Sequence, residues 1–359
     1  MTLHFFHRYD RISASFRARC ECYESFLAQA GIPHLFHSLL NENYLARKYS
    51  HRRISLTGVL AAYLRRAWTL LRLRNSDVVI VHLELFPYLP GLFERLLVWK
   101  GVTLVYDFDD PFFHLYDLHN SRLVRLLFSD KIRRIIRRST AVIAGNKYLE
   151  AYARKENSSV CIIPSVIDLD RYPATRKWPG SRETTFTIGW IGTPVTSPQL
   201  GAVHRALRAF CQKRNVRVVL VGPGQVDLAG VPVEVCPWTE ESEVASIMEF
   251  DVGIMPLFDT PFNRGKGGMK IIQYMACGIP AIVSPVGFNT EIVRHGENGF
   301  LASTEDEWVK YLSLLYDQRH LLPELGREAR RTVEQEYCLQ ITGPAFVRFI
   351  KGIPQVAAC

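Results

Sequence analysis

Hydrophobic positions in this 359-residue chain fall into short apolar runs separated by stretches of helical period. Leu3–Phe6, Val78–Val81, Thr103–Tyr106, Ala141–Ala144 and Cys161–Ile163 are too short for helices, and each reads as a buried strand. Segments of helical spacing lie between them, the first predicted from Ala14 to Ala30 and stopped by Gly31. Such alternation predicts a mostly parallel sheet with helices on both faces. Prolines and charges over 168–185 break the periodicity and read as a linker. The pattern restarts at Phe186–Pro194 with a strand and a glycine turn, then runs through strands near Arg217, Val233–Val235, Val252–Met255 and Ala281–Val283. The expected fold class is therefore α/β, with two Rossmann-like domains in tandem and parallel sheets facing a central cleft at the carboxyl ends of the strands. The expected boundaries are 1–170 and 186–335, with 336–359 as a helix returning to the first domain.

Composition narrows the class. A content of 48% hydrophobic and 22% charged residues fits a globular chain, and no apolar run reaches the roughly 20 residues of a membrane span. The opening MTLHFFHRYD has no apolar leader core, so a cytoplasmic protein with reduced thiols is expected. The eight cysteines show no CxxC pair and no metal-ligand spacing. The net charge of +9 is uneven, with residues 1–180 holding 27 Lys/Arg against 16 Asp/Glu. The excess concentrates at 44–74 and 122–139, where Leu/Ile and Arg mix at helical spacing. Two readings stand for these helices: a solvated arginine face on a core helix, or an electrostatic contact with a phosphorylated acceptor or with anionic lipid at the inner face of a membrane. Nucleic acid is not an expected partner, because no reader motif accompanies the arginines.

The densest chemistry lies at 251–299. Strand Val252–Met255 leads to a loop carrying Arg264, Gly265, Lys266, Gly267 and Gly268, then a helix over Met269–Cys277 and a strand over Ala281–Ser284. Glycines let main-chain amides approach a ligand, a helix start favours negative charge, and Lys266 and Lys270 add cations on what reads as one face. That combination suits a diphosphate. Gly192 and Thr193 read as the other half of the cradle, or as a plain tight turn. Trp238 stands where a base would stack, with core packing as the alternative, and Glu291 is either a ligand contact or part of a helix turn.

In the first half, Asp107, Asp109 and Asp110 follow a strand. They read as a metal-binding DxD pair, as carboxylates orienting an acceptor or sugar, or as a turn before Pro111. His82, with Glu84 close behind, ends another strand and is either structural or catalytic. Ser13, Ser15, Arg17 and Arg19 open the first helix, which reads as a serine cap or as an anion site for the acceptor.

At these residues the chain resembles the GT-B glycosyltransferases of family 4. The segments that carry the likeness are FTIGWIGTPVTSPQL, FDVGIMPL, the Lys/Gly loop, QYMACGIPAIVSPVG and EIVRHGENGFL, with VTLVYDFDDPFF, AVIAGNKYLEAYA and IIPSVIDLDRY in the first half. The resemblance implies transfer of a sugar from a UDP- or GDP-linked donor to a lipid-linked, polysaccharide or other glycan acceptor. It also implies retention of configuration and no cofactor or obligatory metal. In its terms the donor contacts are Gly192, Thr193, Trp238, Arg264, Lys266, Gly267, Gly268, Lys270, Gln273 and Glu291. Asp109, Asp110 and His82 are the candidate catalytic groups, and Ser13, Arg17 and Arg19 are the acceptor side. The chain departs from the family where Gly265 and Gln273 replace two glutamates, and where Asp109 replaces a histidine. Two other classes remain open: a nucleotide-sugar epimerase or hydrolase on the same scaffold, and a non-catalytic nucleotide-sugar-binding partner subunit.

Overall fold

The computed structural model describes residues 1–11, 13–41, 44, 47, 55–173, 178, 185–212 and 214–356. Much of the expected linker and part of the basic stretch at 44–74 lie outside the described residues. By internal contacts the chain divides into one unit of Met1–Ser165, Gly265–Gly267 and Thr342–Cys359, and a second of Val166–Arg264 and Gly268–Ile341.

The first unit is built on six parallel strands: β1 Leu3–Tyr9, β2 His34–Leu40, β3 Val78–His82, β4 Thr103–Phe108, β5 Ala141–Ala144 and β6 Val160–Ile162. Their order is β2-β1-β3-β4-β5-β6. Strands β3 to β5 are buried throughout except at Thr103, which is why they read as continuous apolar runs. The pattern missed β2, whose His and Ser residues sit on a half-buried sheet edge. From Thr342 the last helix packs on this unit, with Phe346 stacked 4.1 Å from Tyr23.

The second unit repeats the plan with β7 Phe186–Ile191, β8 Val216–Val221, β9 Val233–Cys236, β10 Val252–Met255, β11 Ala281–Val283 and β12 Gly299–Leu301. All neighbours are parallel, in the order β12-β11-β10-β7-β8-β9. In each sheet the chain reverses its direction of travel once, between β1 and β3 and between β7 and β10. Such switch points leave a crevice at the strand ends where ligands bind.

Three helical expectations are corrected. The predicted helix over 14–30 is broken into Ala14–Arg19, a 3-10 turn Glu21–Tyr23 and Glu24–Gln29, because the backbone leaves helical geometry at Cys20 (φ −126°, ψ −65°). The stretch 122–139 forms two helices, Arg122–Phe128 and Lys131–Arg138. The third concerns the helix Leu56–Arg72. It buries Ala62, Arg66 and Leu70, and turns Leu56, Leu60, Leu64, Trp68 and Leu71 to solvent. Arg66 is drawn inward by three carbonyls, donating to Leu85 O at 3.0 Å, His7 O at 2.6 Å and His37 O at 2.7 Å. Burial, then the neighbouring Arg65 charge, lower its pKa to about 9, which leaves it a cation at neutral pH.

Candidate functional site

The switch point of the first sheet carries the most concentrated chemistry. Parallel register sets His82 at the end of β3 beside Asp107 of β4. His82 Nδ1 lies 2.8 Å from Asp107 Oδ2 and, since a carboxylate only accepts, Nδ1 carries the proton. His82 Nε2 lies 3.2 Å from Ser15 Oγ and 3.7 Å from Asp109 Oδ1. Asp109 is held in turn by Ser165 Oγ at 3.1 Å. Arg19 donates through Nη2 to Asp107 Oδ1 and through Nε to Asp107 Oδ2, and its Nη1 reaches the Ile163 carbonyl.

Burial by itself would lower the His82 pKa, but the Asp107 hydrogen bond and the Asp109 and Asp107 charges outweigh it and raise it. Burial would raise Asp107, yet the Arg19 charge and the His82 bond hold it below the usual carboxylate range. The two shifts describe one coupled pair, a buried anion between the Arg19 guanidinium and the His82 ring.

The backbone shares in this arrangement. Leu83, between His82 and Glu84, adopts φ +68°, a conformation that costs a non-glycine residue roughly 1–3 kcal/mol. It is held by Leu83 N donating to Asp107 O at 2.8 Å and Glu84 N donating to His82 O at 2.9 Å. Behind it, Glu84 accepts from Lys131 Nζ and from the Tyr116 hydroxyl, both at 2.6 Å. Strain at the strand end is thus stored against a buried ion pair.

A cavity of about 130 Å³ opens at this point, lined by His7, Ser13, Ser15, His82, Asp109 and Asp110 among others. His7 was not foreseen. Burial lowers its pKa to about 3 despite the bond from Nδ1 to the Tyr9 carbonyl, so the ring is neutral. Its Nε2 is buried with no hydrogen-bond partner, an acceptor ready for a ligand hydroxyl.

Several candidates are reassigned. Arg19 is 3% exposed and committed to Asp107, so it scaffolds the dyad and does not present itself to an anion. Arg17 donates to the Arg11 carbonyl at 2.9 Å. The Asp107 carboxylate is occupied by Arg19 and His82, which removes the DxD reading of Asp107 with Asp109. Among the described residues no group of three or more His, Cys, Asp or Glu side chains is placed to hold a metal ion. Ser13 precedes the first helix but makes no side-chain cap bond.

The glycine loop has a steric explanation within the same unit. A Cβ on Gly265 would stand 2.8 Å from Pro111 Cγ, so there is no room for a glutamate side chain. Asn146 accepts from Leu149 N to cap its helix and donates from Nδ2 to the Gly265 carbonyl at 3.0 Å. Lys266 and Gly267 group with this unit, whereas Lys270 belongs to the second. The helix begins at Met269, so the expectation of both lysines on one helical face is corrected.

In the second unit Gly192 and Thr193 end β7 in a tight turn, Thr193 N donating to Thr196 Oγ1 at 3.0 Å. Gly222 ends β8 at φ +72°, and a Cβ there would meet Gly192 O at 2.6 Å and Trp238 Cβ at 2.9 Å. The three residues form one close-packed wall. Glu243, which no sequence signal marked, fixes it by accepting from Trp238 Nε1 at 2.8 Å and from the Tyr172 hydroxyl at 3.1 Å. Gln273 lies half-buried on the helix Met269–Ala276 of the same unit. Gly268 starts the helix Met269–Ala276 at φ +65°, and Lys270 Nζ sits 5.4 Å above the buried Trp190 ring. Arg264 is paired with Asp259 through Nε at 2.6 Å and Nη2 at 2.9 Å, which compensates its charge. Glu291 lies half-buried in the short helix Asn289–Ile292.

Two six-stranded parallel sheets flanked by helices match the GT-B glycosyltransferase fold. Sucrose-phosphate synthase from Thermosynechococcus elongatus superposes with a TM-score of 0.72 at 13% identity, covering 98% of both chains. Anabaena Alr3699/HepE, in complex with UDP and glucose, superposes at 0.68 with 15% identity, covering 98% of this chain and 99% of its own. Residues 185–318 match the family Glycosyl transferases group 1. A sequence relative is the GDP-Man:Man(3)GlcNAc(2)-PP-Dol alpha-1,2-mannosyltransferase of Dictyostelium discoideum, 31% identical over 108 residues. That match spans 30% of this chain and 20% of the relative.

Proposed function

We propose that this protein is a retaining glycosyltransferase that moves a sugar from a UDP- or GDP-linked donor to a glycan or lipid-linked acceptor. The observation that carries the reading is the glycosyltransferase domain over 185–318, in a chain that superposes over 98% of its length on a protein holding UDP and glucose. The second unit takes the donor. Its base lies against Trp238, whose ring plane is set by Glu243, and the amide start of the helix Met269–Ala276 at Gly268 with Lys270 meets the diphosphate, the Gly192–Thr193 turn serving as a wall of the cradle.

The first unit takes the acceptor. Asp109 and the His7 Nε2 lone pair accept from its hydroxyls, and His82, whose charged form Asp107 and Asp109 favour, donates from Nε2 to a sugar or acceptor oxygen when it is charged. In a retaining front-face displacement the leaving phosphate takes the acceptor proton. These residues then supply position and charge, and need not act as a base.

The test is a thermal-shift screen of nucleoside diphosphates and their sugars, followed by product analysis with and without acceptor. Lys270→Ala is expected to weaken nucleoside diphosphate binding by about 1.5–3 kcal/mol, the strength of one charge-assisted bond. An unchanged dissociation constant would remove the donor assignment. Turnover of donor without any acceptor would point to an epimerase or hydrolase instead.

A further inference from the structure

The outward face of the helix Leu56–Arg72 carries Leu56, Leu60, Leu64, Trp68 and Leu71, spaced four, four, four and three residues apart on one side, with Leu56 82% exposed. A globular helix of this length normally turns such a stripe inward, and a contiguous exposed one marks a contact surface. The buried side of this helix is instead held by the Arg66 fork on three carbonyls, so the stripe is not a packing accident that a small rotation would cure.

The neighbouring helix Leu92–Trp99 also exposes apolar side chains, Leu92 and Trp99. Lys100 Nζ ties the two helix ends together, donating to Leu71 O at 2.8 Å and Leu73 O at 2.9 Å, and Trp99 beside it is 80% exposed. Helix Arg122–Phe128 in the same unit exposes Leu123, Leu126 and Leu127 in the same manner.

Charge selects the occupant. The helices Leu56–Arg72 and Arg122–Phe128 contain no Asp or Glu, and the single Glu94 of Leu92–Trp99 is buried. Arg65 and Arg72 flank the stripe, Arg72 lying 4.6 Å above the Trp68 ring, and Arg122 borders the second patch. A second copy of this chain would bring arginine against arginine. An anionic bilayer matches both features, with leucine and tryptophan entering the headgroup boundary and arginine on phosphate.

We infer that the face formed by Leu56–Arg72 and Leu92–Trp99 docks this protein on an anionic lipid surface. The claim is independent of the proposed reaction. The experiment is co-sedimentation of the full chain with vesicles of phosphatidylglycerol and phosphatidylcholine in equal parts, against phosphatidylcholine alone. Binding to the anionic vesicles that weakens with salt is expected. Arg65→Gln and Arg72→Gln should each lower affinity about fivefold. The double variant Leu64→Glu with Trp68→Glu should lower it by at least about tenfold with unchanged circular dichroism, since both positions are exposed. Val235→Glu, exposed in the second unit, should leave it unchanged. Absence of binding, equal binding to neutral vesicles, or loss of a concentration-dependent dimer in the same variants would each overturn the inference.

Discussion

Replacing Asp107 with asparagine tests the central claim about the first unit, because the substitution keeps shape and removes charge. Arg19 and His82 are 3% and 2% exposed, so neither gains water when the carboxylate is lost. Removing one partner of a buried ion pair costs about 3–5 kcal/mol, since the remaining charge stays uncompensated. The asparagine amide also presents a donor toward Arg19 or His82, both donors themselves. For a domain of this size each kcal/mol moves the melting temperature by about 2–4 °C, so a drop on the order of 6–20 °C is expected.

The pH dependence supplies a sharper signature. His82 is raised by its partners, so its contribution is complete below its unfolded value of about 6.5 and fades as pH climbs through the folded one. Asp107 is depressed, so its contribution is present above about 3.8 and disappears as pH falls through its folded value. The difference in stability between wild type and Asp107→Asn should therefore be largest between about pH 4 and 6.5 and shrink above the folded His82 pKa. Denaturant melts across pH, with the His82 ring proton followed by NMR, would measure it. A variant within about 1 kcal/mol of wild type at pH 6, or a His82 titration unmoved by the substitution, would refute the reasoning.

Gly222→Ala places a methyl 2.6 Å from the Gly192 carbonyl at φ +72°, and should cost about 1–3 kcal/mol in chemical denaturation. Because the same methyl presses on Trp238, nucleoside diphosphate affinity should fall as well, measured by calorimetry. Lys131→Met leaves Glu84 buried without its cation and should destabilise by about 3–5 kcal/mol, whereas Lys131→Met combined with Glu84→Gln should recover most of that loss. Equal melting of the single and double variants would show that the pair is not coupled.

Much of the fold was legible in the chain because buried parallel strands must be continuous apolar runs. Val78–His82, Thr103–Phe108 and Ala141–Ala144 are buried at every position or nearly so, and announce themselves. The edge strand His34–Leu40 did not, since half-burial admits histidine and serine. Candidate groups were legible only by residue type. His82, Asp109 and Ser15 were named, but no local signal joins residues separated by 67 positions, and Glu243 and His7 lay in stretches without a motif.

What the sequence determined by itself was the strand–helix alternation, its restart near Phe186 and the glycine turns, because periodicity and backbone permissiveness are local properties. What only the tertiary structure decided was pairing and facing. Strand register sets Asp107 beside His82 and so spends a carboxylate that alone reads as a metal ligand. Pro111 fills the space a side chain at position 265 would need. Three carbonyls, those of His7 in β1, His37 in β2 and Leu85 just after β3, pull Arg66 into the core and turn a leucine stripe outward. Each depends on distances between segments far apart in the chain, and hydrophobic pattern carries no information about those.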